Sequence, residues 1–339
     1  MLLSLRVIIP EYQMKAIVHT KYGSSDVLQL KEVERPTPKD NEVLIKVQAV
    51  SVNRSDWEGL TGSPLYARFG GLLKPRYQIL GSDIAGRVEM VGRNVSRFQL
   101  GDEVFGDTSF RMGGFAEYVC ALEETLALKP TSMTFEEAAT IPQGAVIALQ
   151  GIRDKGQVQP GQKVLINGAG GGAGMFAVQL AKLYGAEVTG VDNAGKLDFM
   201  RSLGADHVID YTKEDFTKNG QQYDLILDVI ANRSVFAYKR ALRPNGSYFA
   251  VGGSAARLFQ ILLLGQWIRR TSGKKIRFLA VQPNLKDLVH ITELCEAGKI
   301  VPFIDKRYSL IEVPEALQYL GEGLVKGKVV IIVKLNLDP

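Results

Sequence analysis

Lys163-Val164-Leu165-Ile166-Asn167-Gly168-Ala169-Gly170-Gly171-Gly172-Ala173-Gly174 decides how this chain folds. Its first four residues read as a short buried strand. The turn that follows holds five glycines in seven residues, and an apolar helix from Gly174 to Tyr184 comes at once. Strand, glycine turn and helix in that order form a dinucleotide fingerprint, a far stronger signal than glycines alone. Small residues let the backbone approach a pyrophosphate, and the helix start offers unpaired N–H groups and a positive dipole end. The cofactor-binding candidates here are Gly168, Ala169, Gly170, Gly171, Gly172, Ala173 and Gly174, with Gly174 also allowing close helix–strand packing. The competing reading is a tight turn without a ligand. It leaves unexplained why so many glycines bear the entropy cost.

Downstream, strands and helices alternate. Glu187 to Val191 reads as a strand ending at Asp192, Lys196 to Leu203 as a helix stopped by Gly204, and Ser234 to Leu242 as another helix. His207-Val208-Ile209, Leu225-Ile226-Leu227 and Tyr248 to Val251 read as strands. Such alternation predicts right-handed βαβ units and a parallel sheet. Upstream, Met14 to about Leu128 is strand-like and punctuated by turns, which predicts a compact antiparallel β unit. Thr134 and Glu137 have capping-box spacing and open an apolar helix expected to reach Arg153. Leu258 to Ile268 is apolar without a place in the sheet. A buried helix, a cleft wall and an oligomer contact are all open readings for it. The closing Gly327-Lys328-Val329-Val330-Ile331-Ile332-Val333 is a strong strand.

The 339 residues are 46% hydrophobic and 23% charged, an ordinary globular composition long enough for two domains. The net charge is +5, with no run of five like charges and no nucleic-acid motif. The densest basic stretch, Arg269-Arg270 with Lys274-Lys275 and Arg277, reads as a solvated loop or helix end. Two cysteines, Cys120 and Cys295, cannot build a disulfide framework and point to a reducing, cytoplasmic setting. No apolar run reaches the roughly 18 residues of a spanning helix. Neither nucleic acid nor membrane is therefore expected as a partner. Residues 1–13 lack the marks of a signal peptide, and Met14 is the expected natural start.

The glycine turn, the stretch Ser202-Leu203-Gly204-Ala205-Asp206-His207-Val208-Ile209-Asp210-Tyr211 and the closing Gly327-Lys328-Val329-Val330-Ile331 together resemble the medium-chain dehydrogenase/reductase superfamily. Within it they are similar to the zinc-independent quinone oxidoreductase branch. The resemblance implies an α/β fold: a Rossmann doubly wound parallel sheet plus a GroES-like β-rich catalytic domain. It implies residues 14–140 as the first part of that catalytic domain, 141–282 as the NAD(P)-binding domain, and 283–339 as a return to the catalytic domain. It further implies a cleft site between them and a homodimer. Lys196 and Tyr211 match positions that contact an NADPH 2′-phosphate. Asp192 departs from that pattern, because an acid at the second strand end bonds the ribose hydroxyls of NAD. The cofactor is therefore NAD(P)H, with NADP against NAD unresolved. Gly252 and Gly253, at a strand end, and Lys328 are further cofactor-contact candidates.

The zinc-dependent pattern is broken. Asn53 stands where those relatives carry a cysteine, Ser82 where they carry a histidine, and Ile141-Pro142-Gln143-Gly144 has no cysteine. An amide and a hydroxyl are poor ligands for zinc, and no metal site is expected. Without zinc to polarise an alcohol, hydride addition to a conjugated acceptor is the easier chemistry. The expected activity is hydride transfer from NAD(P)H to a small-molecule quinone or α,β-unsaturated carbonyl. The alternatives are a zinc-free alcohol dehydrogenase and a nucleotide-binding protein without turnover. Asn53 and Tyr66 are the candidate donors to the substrate carbonyl, and Ser55 a candidate proton relay. The competing readings are a structural hydrogen bond for Asn53 and a packing aromatic for Tyr66. Asp56 is expected to cap local backbone.

Overall fold

The computed structural model describes residues 13–69, 71–108 and 111–333. Most of the 1–13 segment thus lies outside the described residues. The chain opens on an antiparallel pair, β1 (Gln13–Val18) and β2 (Gln29–Glu34). β3 (Glu42–Val52) is nearly all buried and runs straight into α1 (Arg54–Thr61). β4 (Asp83–Val91), β5 (Glu103–Asp107), β6 (Tyr118–Leu122) and β7 (Leu126–Leu128) follow, antiparallel as their alternation and turns predicted.

The Thr134–Glu137 capping box is present and opens α2 (Phe135–Thr140). The helix does not continue unbroken to Arg153. It stops at Ile141, because Pro142 brings no N–H to the ladder. The chain restarts as α3 (Pro142–Leu149) and ends in a π-helical turn, Gln150–Lys155.

The alternating half folds as the sequence predicts. β8 (Lys163–Asn167), α4 (Gly172–Leu183), β9 (Glu187–Asp192), α5 (Leu197–Ser202), β10 (His207–Asp210) and β11 (Tyr223–Asp228) come in order. After them come α6 (Val235–Ala241), β12 (Leu242–Ala250), α7 (Ala255–Ser272) and β13 (Lys275–Phe278). The strands make a parallel sheet of order β10-β9-β8-β11-β12-β13. The period-two alternation is physical: Val164 and Ile166 join the core on one face, Leu165 the core on the other. α7 is longer than the apolar stretch suggested and is not a buried helix. Only Ile261, Gly265 and Ile268 are buried, with Leu264 partly buried against the core.

The chain then returns. α8 (Leu285–Glu296), β14 (Ile304–Ser309), α9 (Val313–Gly321) and β15 (Lys328–Ile332) complete it. β15 pairs antiparallel with β3, giving a seven-stranded sheet of order β14-β15-β3-β4-β5-β7, in which β6 also pairs with β3 off that path. That pairing decides the site: Val329 lies opposite Val52, so the neighbouring Lys328 and Asn53 meet at the sheet's end.

Candidate active site

The glycine turn lies between β8 and α4. Gly168 has φ of +86°, the left-handed region that glycine tolerates. A Cβ on Gly174 would stand 2.1 Å from the Gly168 carbonyl oxygen, so helix and strand pack as closely as the fingerprint requires. The N–H groups of Gly172, Ala173 and Gly174 head α4 with no acceptor among the described residues. Gly171 is open: the nearest atom to a Cβ there is the Gly168 oxygen at 3.5 Å. This cradle fits a pyrophosphate.

Asp192, expected at the adenosine end, stands at the end of β9. Its carboxylate turns inward: Oδ2 accepts from Gly170 N–H at 3.0 Å and Oδ1 from Asn193 N–H at 2.9 Å. Lys196 Nζ stands 3.4 Å from Oδ1, with both side chains buried. Lys196 is thus no exposed helix lysine; its stem packs against Gly170. The acid's charge is met within the protein rather than presented bare to a ribose or phosphate. Tyr211 follows β10, half-exposed, and its backbone N–H bonds the Asp192 carbonyl at 3.1 Å.

Lys328 joins this turn to the other sheet. Gly327 N–H donates to the Gly170 carbonyl at 2.9 Å, and a Cβ on Gly172 would collide with the Lys328 stem. The ammonium points away from the turn. It donates to Asn53 Oδ1 at 2.5 Å and reaches Asp83 Oδ2 at 3.4 Å. Asn53 Nδ2 in turn donates to Ser82 Oγ at 3.3 Å. Asp83 accepts the Gln143 N–H at 3.1 Å, and Ser55 Oγ donates to Gln143 Oε1 at the same distance. Asp56 accepts from the N–H groups of Asn53 at 2.7 Å and Gly81 at 3.0 Å, capping backbone as expected.

This cluster is almost dry. Lys328, Asp83 and Asp56 are all buried. Burial lowers the Lys328 ammonium from its ordinary value, against the pull of Asp83 and Asp56. Burial raises Asp83, while Lys328 holds it down. Asp56 is pushed up to about 7 by burial, with its two backbone N–H bonds pulling the other way.

Tyr66, on the loop after α1, crosses to the other side of the cleft. Its hydroxyl lies beside the Gly252–Gly253 backbone: a Cβ on Gly252 would lie 3.6 Å from that oxygen. Gly252 and Gly253, both at positive φ, follow β12 and lead into α7. A cavity of about 210 Å³ opens here, lined among others by Tyr22, Ser55, Tyr66, Arg76 and Tyr77. The structure therefore gathers Asn53, Ser55 and Lys328 around one buried cluster, and Ser55 and Tyr66 around one cavity.

Two groups escaped the sequence reading. Asp83 holds the ammonium, yet its place beside Ser82 marks it only once β4 is laid against β3. Asp228, fully buried at the end of β11, accepts from Asn167 Nδ2 at 2.8 Å, Tyr248 OH at 3.0 Å and the Ala231 N–H at 2.7 Å. It ties the strand ends beneath the glycine turn together.

Residues 39–131 match the alcohol dehydrogenase GroES-like domain, and residues 203–331 match the zinc-binding dehydrogenase family. A 2-methylene-furan-3-one reductase of Solanum lycopersicum is 33% identical over 331 residues, 94% of this chain and 79% of that protein. The NADPH-dependent alkenal/one oxidoreductase, chloroplastic, of Arabidopsis thaliana is 32% identical with the same coverage. The solved quinone oxidoreductase from Coxiella burnetii superposes with a TM-score of 0.85 at 29% identity, over 95% of this chain and 100% of that one. The chain belongs to the medium-chain dehydrogenase/reductase superfamily, in its quinone oxidoreductase-like branch. It is an NAD(P)-dependent oxidoreductase.

The zinc in that family description does not fit the residues present. Asn53 and Ser82 offer an amide and a hydroxyl, and the Lys328 ammonium already takes the Asn53 oxygen. Zinc prefers thiolate, imidazole and carboxylate, and among the described residues no three such groups gather. No helix among the described residues is long and apolar enough to cross a membrane.

Proposed function

We propose that the protein reduces quinones or α,β-unsaturated carbonyls with NAD(P)H. The observation that carries this is the buried Lys328 ammonium on Asn53, where the zinc-dependent pattern has a metal ligand. A fixed cation and hydrogen-bond donors replace a Lewis acid, which suits an acceptor that develops charge on a carbonyl oxygen. The nicotinamide supplies the hydride when bound. Tyr66 Oη and Asn53 Nδ2 orient and stabilise the carbonyl oxygen. Ser55 Oγ passes the proton that completes reduction, and the glycines of 168–174, with Gly252 and Gly253, hold the dinucleotide. The names of the tomato and Arabidopsis relatives, a furanone reductase and an alkenal/one oxidoreductase, support this substrate class.

In this reading residues 14–140 and 283–339 form the catalytic part and 141–282 the cofactor part. NADPH is the preferred cofactor, because Lys196 compensates Asp192 and Tyr211 stands open beside it. A homodimer is the assembly, to be tested by sedimentation. The cytoplasm is the compartment to be tested by fractionation, since several relatives are named chloroplastic or mitochondrial. Stopped-flow absorbance at the nicotinamide band, with a quinone and an enal, tests the activity. Cofactor oxidation by either supports it; oxidation by neither defeats it. Turnover with simple alcohols alone would mark a zinc-free alcohol dehydrogenase instead.

A further inference from the structure

From Phe259 to Trp267 the outward face of α7 is largely apolar where a surface helix is normally polar. Phe259, Leu262, Leu263 and Trp267 recur at helical spacing and are each more than half exposed. Phe236, on α6, meets Trp267 edge-on at 6.5 Å and widens the patch. Exposed apolar groups packed this closely mark an interaction surface.

Charge says what it meets. Between Asp228 and Asp287 the chain carries eleven lysines and arginines and no acidic residue, in a protein whose net charge is only +5. Among the described residues no carboxylate pairs with Arg257, Arg269, Arg270, Lys274, Lys275 or Arg277. A second copy would bring the same cations face to face. An anionic bilayer would meet both features, with aromatic and leucine side chains entering the headgroup boundary and cations on the lipid charge.

A second apolar surface lies near the start of α7. In the loop after α1, Leu65, Phe69, Leu72 and Leu73 are 68–92% exposed, and Arg68, Lys74 and Arg76 are its only charges. The Tyr66 hydroxyl of this loop lies beside Gly252, two residues before the α7 N-cap Ser254, so the loop adjoins the start of α7 at the cavity mouth.

We propose that this protein docks on anionic membrane surfaces through the outward face of α7 and the 65–76 loop, with its substrate cavity opening toward the lipid. This goes against the expectation of no membrane partner, while leaving in place the absence of a crossing helix. The docking stands on surface chemistry and not on the reductase reading. A lipid-dissolved quinone or enal as the substrate source does rest on that reading.

The test is co-flotation of the full chain with vesicles of phosphatidylcholine alone or with phosphatidylserine added. Binding to the anionic vesicles only, weakened by salt, is expected. Each cation removed from α7 or β13, as in Arg270→Ala, should weaken it about fivefold. Leu263→Glu with Trp267→Glu, both solvent-facing, should abolish flotation while turnover of a water-soluble quinone persists. In a Trp57→Phe variant, Trp267 is the remaining tryptophan and its emission should shift blue on vesicles. Equal binding to both vesicle types, or to neither, overturns the proposal. So does dissociation of a dimer by Leu263→Glu, which would make the face a self-association surface, or tight binding of a DNA duplex with Trp267 unmoved. Vesicle binding and turnover are read separately, so failure of one does not decide the other.

Discussion

The Lys328 ammonium lies 2.5 Å from Asn53 Oδ1, although 275 positions separate the two residues in the chain. The contact joins the last strand of one sheet to the cap of α1, and Asp83 completes it from β4. Removing the cation alone leaves a buried carboxylate without its partner, which costs about 3–5 kcal/mol. Lys328→Met should therefore lower the unfolding free energy by that amount. The double variant Lys328→Met/Asp83→Asn should recover most of the loss. Urea unfolding of the single and double variants measures the coupling. Equal losses in both would show that Asp83 does not depend on the ammonium.

Tyr66 separates chemistry from stability because its ring is 38% exposed and its hydroxyl faces Gly253 across the cleft. Tyr66→Phe keeps the ring and loses one donor. Turnover of an enal should fall about 10²-fold, the usual effect of removing a donor aimed at a developing oxyanion. Unfolding free energy should change by no more than about 0.5 kcal/mol, and NADPH affinity, read by fluorescence titration, should hold. Unchanged turnover would return Tyr66 to a packing role.

Asp56 gives the protein a pH dependence of known sign. Its folded carboxyl is raised from 3.8 to about 7, chiefly by burial. Between those values the folded state binds a proton that the unfolded state has released. This stabilisation is full below pH 3.8 and is lost as pH rises through about 7. At about 1.4 kcal/mol per unit the loss is of order 4 kcal/mol. Asp83 and Lys328 face the same pocket, and burial raises the first and lowers the second. Asp56→Asn should remove the Asp56 slope while adding a pH-independent loss, since its amide cannot accept from both backbone N–H groups. Unfolding free energies of both proteins from pH 4 to 8 test this; parallel curves would refute it.

Local features were legible in the sequence and long-range ones were not. The glycine turn carries its own physics in seven residues, and the Thr134–Glu137 box is a contact between residues three apart. The break at Pro142 is not legible locally, because apolar periodicity runs through it while the missing N–H does not show in a hydrophobic pattern. Lys328 read as a cofactor contact. Its bond to Asn53 follows only from the register of β15 on β3, which no local pattern encodes. α7 misled differently. An apolar run says nothing about which faces have neighbours, and several outward residues of this helix, Phe259, Leu262, Leu263 and Trp267, are as apolar as the inward ones.

Asp192 and Lys196 should set the choice between NADH and NADPH. A bare acid at the end of β9 would bond ribose hydroxyls and repel a 2′-phosphate. Here the carboxylate accepts from Gly170 and Asn193 and pairs with Lys196, so its charge is largely spent inside the protein. Asp192→Asn keeps an oxygen for the Gly170 N–H but cancels the negative charge. Lys196, no longer held, would then be free to meet the phosphate. A new bond to a charged group contributes about 1.5 kcal/mol, which is roughly tenfold in affinity. The ratio of NADH to NADPH dissociation constants should rise by that factor in the variant. Lys196→Met should move the ratio the other way, because it leaves Asp192 uncompensated beside the phosphate. If both substitutions leave the ratio unchanged, the adenosine end is not recognised by this pair, and Tyr211 becomes the residue to vary.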